Sequence, residues 1–251
     1  GPFTFVDYQL DTTIRYKANP DYFKGKEKID DLIFQITPDA TTRLQKVQAG
    51  ECDVMAYPNP ADVPAIKADS NLNVYSQAGL NVGYMSYNVT QPPFDNPEVR
   101  HALNMAIDRD ALIKSLFQEA GAVPADNLIP PTMWSWNKDV KFDKYDPEAA
   151  KKILAANNVT SIDLWASDRS RPYNPNFQRA AELIQADWAK VGVTAKITTE
   201  EWTKYREDGK KKDRPGAFQI GWSGDNGDPD NFFATLFSCS AIGVSNYSSW
   251  C

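Results

Sequence analysis

The sequence predicts an α/β protein, a mainly parallel sheet covered by helices, with the chain divided between parts of two lobes. Three observations carry this. Strand-type runs alternate with helix-type runs along most of the chain, which is the rhythm of βαβ units. The rhythm breaks at Gly79-Leu80-Asn81-Val82-Gly83 and then resumes, giving expected units of 1–79 and 80–251. With 251 residues, 42% hydrophobic and 12% aromatic, the chain is large enough to bury a core and too rich in Trp and Tyr for a disordered segment.

Residues 3–8 and 12–17 alternate apolar and polar side chains and predict a hairpin of two strands. Leu32-Ile33-Phe34-Gln35-Ile36 predicts another strand, and Thr37-Pro38-Asp39 starts a helix through Leu44 and Val47 that stops at Gly50. A short strand is expected at 54–57, then a helix entered through Asn59-Pro60-Ala61-Asp62. Strand alternation returns over 84–88. Asp95-Asn96-Pro97-Glu98 places a cap just before a first-turn proline, and Val99, Ala102, Leu103, Ala106 and Ile107 follow at helical spacing. Asp108-Arg109-Asp110 begins a helix carrying Leu112, Ile113, Leu116 and Phe117. The proline-rich stretch 128–136 excludes regular helix.

Asp146-Pro147-Glu148 repeats the cap-and-proline signal for a helix ending near Asn157. A strand over 162–166, a long amphipathic helix over 176–191 and a strand over 194–199 come next. A helix near 202–205 and a strand over 217–222 follow, and Asp228-Pro229-Asp230 starts a last helix with Phe232, Phe233, Leu236 and Phe237.

Lys plus Arg number 27 against 33 Asp plus Glu, a formal charge of -6, which argues against a nucleic-acid groove because such a groove needs clustered cations. No apolar run approaches the roughly 20 residues that span a bilayer. Gly1-Pro2-Phe3-Thr4-Phe5 lacks the pattern of a signal peptide, and the chain opens and closes as a fragment would. Cys239 and Cys251 bracket a polar, turn-rich stretch; they form either a disulfide or two buried thiols. Cys52 is either a buried thiol or the partner of a cysteine outside the chain. The single histidine, His101, sits at a helix start without metal-ligand spacing around it, so no metal site is expected.

Gly221-Trp222-Ser223-Gly224-Asp225-Asn226-Gly227-Asp228-Pro229-Asp230 ends a strand in glycines and carboxylates. Ligands of open α/β sheets bind beyond the carboxyl ends of strands, where Asp225 falls, and a carboxylate there suits an amine. The alternative is a capped turn for the next helix, which accounts for Asp228 but not for Asp225, too far upstream to cap. Read as an EF-hand loop from Asp225, the segment would need glutamate at position 236, where Leu236 stands, so calcium is not expected. Asp168-Arg169-Ser170-Arg171-Pro172-Tyr173-Asn174-Pro175 is a second strand-exit loop, now cationic. Arg171 reads either as a surface arginine or as a planar fork for a carboxylate. Together the two loops could grip both ends of a zwitterion. Trp134 and Trp136 either line a pocket or pack a loop. A hydrolase using Asp225 and Asp228 is the other functional class, with acidity alone behind it. No phosphate-binding, dinucleotide-binding or nucleophile-elbow motif is present.

Six stretches spanning nearly the whole chain carry a family likeness: Ile36-Thr37-Pro38-Asp39-Ala40, Tyr57-Pro58-Asn59-Pro60-Ala61-Asp62, Gly79-Leu80-Asn81-Val82-Gly83-Tyr84, Asn127-Leu128-Ile129-Pro130-Pro131-Thr132-Met133-Trp134, Arg171-Pro172-Tyr173-Asn174-Pro175-Asn176 and 221–239. In them the sequence resembles the bacterial extracellular solute-binding proteins of the peptide and nickel class, family 5. The resemblance implies a two-lobed, type II periplasmic-binding-protein fold, of which 1–79 is part of lobe I and 80–251 most of lobe II. It implies a monomeric, periplasmic, non-catalytic binding component of an ABC importer, without cofactor. The implied ligand is a dipeptide or short peptide, and the implied partners are the permease subunits and a chemoreceptor; haem, nickel and longer oligopeptides are the alternative cargoes. By the same resemblance Arg171 holds the peptide carboxylate and Asp225 its α-amine. Gly221 and Ser223 pair with the peptide backbone, and Trp222 is a ligand-binding residue of the same stretch. Cys239 and Cys251 form a disulfide, and the partner of Cys52 lies near the N-terminus of the full protein, outside this chain.

Overall fold

The computed structural model describes residues 1–118 and 120–251. They form two compact units, Gly1–Asn59 and Pro60–Cys251. The division falls earlier than residue 79 because the 3-10 turn Pro60–Asp62 packs against a helix of the larger unit, Arg109–Phe117. Thr132 Oγ1 also donates to the Gly79 carbonyl at 3.1 Å.

In the smaller unit, β1 (Phe3–Gln9), β2 (Thr13–Ala18) and β3 (Asp31–Gln35) form an antiparallel meander in the order β1-β2-β3. Tyr16 sits edge-on between the rings of Phe5 and Phe34, with centroids 5.8 and 6.0 Å apart, the geometry in which aromatic quadrupoles attract. The helix α1 (Ala40–Gln48) starts where expected, since the Asp39 side chain accepts from Thr42 N. The strand expected at 54–57 does not form. Tyr57 is in the left-handed region at φ 53°, and Pro58 and Pro60 have no N–H to give a ladder. The hairpin expected over 3–17 forms, and the parallel rhythm expected after it gives way to antiparallel pairing of β3 with β2.

The larger unit opens with α2 (Val63–Ala68), β4 (Asn81–Tyr87), α3 (Pro97–Met105), α4 (Arg109–Phe117) and α5 (Pro147–Ala156). It continues through β5 (Ser161–Ser167), α6 (Phe177–Lys190), β6 (Thr194–Glu200), α7 (Trp202–Gly209), β7 (Ala217–Ser223) and α8 (Asp230–Phe237). Asn96, Asp108, Asp146 and Asn176 each cap their helix with a side-chain oxygen, satisfying N–H groups that the first turn leaves unpaired. The sheet order is β4-β7-β5-β6, with β5 parallel to both β6 and β7 and β4 antiparallel to β7. The core lies between this sheet and α3, α5 and α6. Trp188 is fully buried there, and its indole donates to the Leu103 carbonyl at 3.1 Å. The stretch 128–136 is non-helical, as expected; Ile129 and Met133 are buried, Trp136 and Trp222 both pack against the cluster they form with Val82 and Phe232, and Trp134 stays exposed.

Cys239 and Cys251 are joined, with Cα atoms 5.0 Å apart, and they close the loop that carries the buried Asn246 and Tyr247. Replacing both cysteines by serine is expected to lower the unfolding free energy by about 3 kcal/mol. Urea unfolding checks this: reductant should lower the midpoint of the parent and leave that of the variant unchanged.

Candidate functional site

The loop leaving β5 is folded by its own backbone. Arg171 N donates to the Asn174 carbonyl at 2.9 Å, and Asn174 N returns a bond to Arg171 O at 3.0 Å. The Asn174 amide donates to Gln219 Oε1, and buried Gln219 donates in turn to the carbonyls of Trp165 and Phe177. One polar node thus ties the loop to β5, β7 and α6. Tyr173 then lies on the sheet at Gly83 and Gly221, which are paired across β4 and β7. A methyl group on Gly221 would fall 2.4 Å from the Tyr173 ring, and one on Gly83 would fall 2.7 Å from its carbonyl oxygen. Only glycine permits that approach. Burial pushes the Tyr173 hydroxyl up to about 12.

This turn aims Arg171 at α7. Its guanidinium carbon sits 3.6 Å from the centroid of the Trp202 ring. Its Nε is buried with no hydrogen-bond partner, and among the described residues the group makes no ion pair. Burial lowers the Arg171 pKa from its ordinary value, but a guanidinium stays charged in proteins. A planar cation outside any ion pair among the described residues thereby presents its fork to an anion, and a carboxylate matches that fork.

On the other side, β7 runs out through Ser223, and Gly224 N donates to the Leu80 carbonyl at 2.9 Å. Asn231, in the first turn of α8, holds the exit loop. Its Oδ1 accepts from the Trp222 indole at 2.9 Å and from Asp225 N at 3.0 Å, and its Nδ2 donates to Asp225 Oδ2 at 3.0 Å. Asp225 is exposed and forms no ion pair among the described residues. Asp228 does not cap α8: Pro229 is the cap residue, and the Asp228 side chain accepts from Asp230 N within the preceding turn.

Between the two anchors lies a stretch of open strand edge. In an antiparallel ladder the residues of one strand point their N–H and C=O groups alternately toward and away from the neighbour. Because Gly224 N bonds toward β4 and the register is regular, Gly221 and Ser223 direct their backbone groups away from β4, to the β5 side. There the pairing with β5 covers only Ala217 and Phe218. Ser223 Oγ is engaged with Asn81 Oδ1. Arg171, Gly221, Ser223 and Asp225 therefore share the carboxyl end of one sheet, whereas Trp222 serves as a strut for the Asp225 loop.

Trp202 and Asn231 were not singled out from sequence. Trp202 had a readable signal, since it follows the carboxyl end of β6, a parallel strand like β5 and β7; Asn231 had none. His101 is an exposed helix residue whose Nδ1 lies 3.0 Å from the Asp143 carboxylate. Among the described residues no cluster of His, Cys, Asp and Glu could hold a metal ion.

Comparison with known proteins bears on this geometry. Residues 1–243 match the profile of Bacterial extracellular solute-binding proteins, family 5 Middle. The chain is 55% identical over 255 residues to the Dipeptide-binding protein of Escherichia coli strain K12, covering 100% of this chain and 47% of that protein. It is 47% identical over 249 residues to Heme-binding protein A of Haemophilus influenzae, covering 98% of this chain and 45% of that protein. Among solved structures, it superposes with a TM-score of 0.87 and 35% identity on the dipeptide binding protein from Pseudoalteromonas sp. SM9913 in complex with Met-Leu, covering 100% of this chain and 50% of that one. The chain thus spans about half the length of the relatives it matches.

Proposed function

Because the chain belongs to family 5 of the bacterial extracellular solute-binding proteins, we propose that it carries the ligand anchors of a periplasmic component that binds dipeptides or short peptides for an ABC importer. The family consists of transport solute-binding proteins, not enzymes. Residues 1–79 are assigned to part of lobe I and 80–251 to most of lobe II. Arg171 receives the peptide carboxylate, Asp225 receives the α-ammonium group, and Gly221 and Ser223 pair with the peptide backbone as a neighbouring strand would. Permease subunits and a chemoreceptor are the proposed partners.

The observation that supports this most is the pair of opposite charges, neither in an ion pair among the described residues, at the exits of neighbouring parallel strands with open strand edge beside them. β6 and β7, which lead to Trp202 and Asp225, lie two strand spacings apart, roughly 10 Å. A fully extended dipeptide spans about 7 Å, which leaves about 3 Å, the length of one charged hydrogen bond. Calorimetry on the full-length natural protein tests the reading with Ala-Ala, its N-acetyl form and its C-terminal amide. Blocking either end is expected to reduce affinity at least about 30-fold, as loss of a charge-assisted hydrogen bond would; equal affinity for all three would contradict it. Haem is the second cargo to weigh, on the 47% identity to Heme-binding protein A. An absorbance titration with haem separates the two.

The Asn231 clamp gives a finer expectation. Asn231→Ala should weaken Ala-Ala binding about tenfold by freeing the Asp225 carboxylate, roughly one net hydrogen bond. It should leave binding of the N-acetyl form unchanged. The same calorimetric pair checks this.

A further inference from the structure

We infer that Trp202 is the positioning residue for the carboxylate anchor: it fixes the plane of the Arg171 guanidinium and so sets the preference for a free peptide carboxylate over its amide. This rests on the carboxylate role proposed for Arg171. An arginine side chain has four rotatable bonds, and its bidentate fork is selective only when its plane is held. Among the described residues Arg171 Nε has no acceptor and the group forms no ion pair with a carboxylate. What it has is the indole face at 3.6 Å, close enough for both cation–π attraction and stacking.

The indole is itself held. Trp202 stacks on Tyr205 with centroids 6.1 Å apart, Tyr205 stacks on Phe218 at 4.1 Å, and Phe218 stacks on Tyr247 at 5.2 Å. Tyr205 and Phe218 are fully buried, and the Tyr205 hydroxyl donates to the Gln219 carbonyl. A second, buried cation, Arg214, covers Phe218 at 4.6 Å and donates to the carbonyls of Gly209, Gly216 and Tyr247. The stack is therefore locked by the core at one end and presents a flat ring to Arg171 at the other. Arg206 approaches the same ring at 6.0 Å, so a second positive charge favours an anion there and opposes any move of Arg171 toward it.

The test compares Ala-Ala with its C-terminal amide by calorimetry on the full-length natural protein, in the parent and in Trp202→Phe, Trp202→Leu and Arg171→Ala. Trp202→Phe keeps an aromatic face and should hold the acid-to-amide ratio within about threefold of the parent. Trp202→Leu keeps apolar bulk without the face and should reduce the ratio about tenfold, through weaker acid binding alone. A merely structural tryptophan would weaken acid and amide equally, and that result overturns the inference. Nuclear magnetic resonance of the parent gives a reading that does not depend on how the variants fold. The Arg171 Nε–H signal should be ring-shifted and protected from water, and a free, unshifted signal counts against the inference. Arg171→Ala separates the two levels. If it leaves the ratio at the parent value, the carboxylate role itself falls; if it collapses the ratio and Trp202→Leu does not, only the role of Trp202 falls.

Discussion

Replacing Arg171 by alanine in the full-length protein is expected to weaken dipeptide binding about 100-fold, while the melting temperature stays within a few degrees of the parent. The two effects separate because the group contributes little to folding. Its Nε is buried without an acceptor, an arrangement that opposes folding, and its removal loses mainly the stacking on Trp202. Binding, by contrast, loses a two-pronged charged contact, worth about 3 kcal/mol or 100-fold. Arg171→Lys should recover only part of this, because an ammonium neither forks nor lies flat on an indole. A loss below about threefold in the alanine variant would remove Arg171 from the site.

Gly221→Ala is expected to damage both fold and site. The added methyl would lie 2.4 Å from two ring carbons of Tyr173 and 2.5 Å from the Val82 carbonyl oxygen. The oxygen belongs to the paired strand and cannot swing aside, and the ring is enclosed by the loop that it anchors. Overpacking of this kind costs about 3 kcal/mol, or roughly 6–12 °C in melting temperature for a domain of this size. Any relief must come from Tyr173, and Tyr173 is two residues from Arg171 in a turn closed by Arg171 and Asn174. Peptide affinity should therefore fall as well, and thermal melting with calorimetry on the same variant reads both. A variant that melted and bound like the parent would show that the loop does not depend on contact with the sheet.

The helices of the larger unit were legible because their signals are local. Asn96, Asp108, Asp146 and Asn176 cap from within three residues of the groups they satisfy. The last helix departs from its signal: an aspartate two positions before it bonds inside the turn, and the helix opens on Pro229. Apart from 54–57, strands were legible as strands, and the β1–β2 hairpin with them, but not the other partners. Alternation in β3 says which face is apolar and nothing about which neighbour pairs, so its pairing with β2 went unread and β3 with α1 read as the start of a βαβ unit. The positions of Arg171 and Asp225, in the loops beyond the carboxyl ends of β5 and β7, were readable from the strand runs before them. Their supports were not. The stack under Trp202 draws on 202, 205, 218 and 247, and the Asn231 clamp spans a turn and a helix start, so both arise only from the tertiary fold.

A crystal structure of the full-length protein grown with Ala-Ala meets the central claim most directly. The account predicts the peptide carboxylate within about 3 Å of the Arg171 guanidinium nitrogens and the ammonium within about 3 Å of the Asp225 carboxylate, with the peptide backbone along Gly221 and Ser223. A dipeptide bound with either charged end on other residues would contradict it.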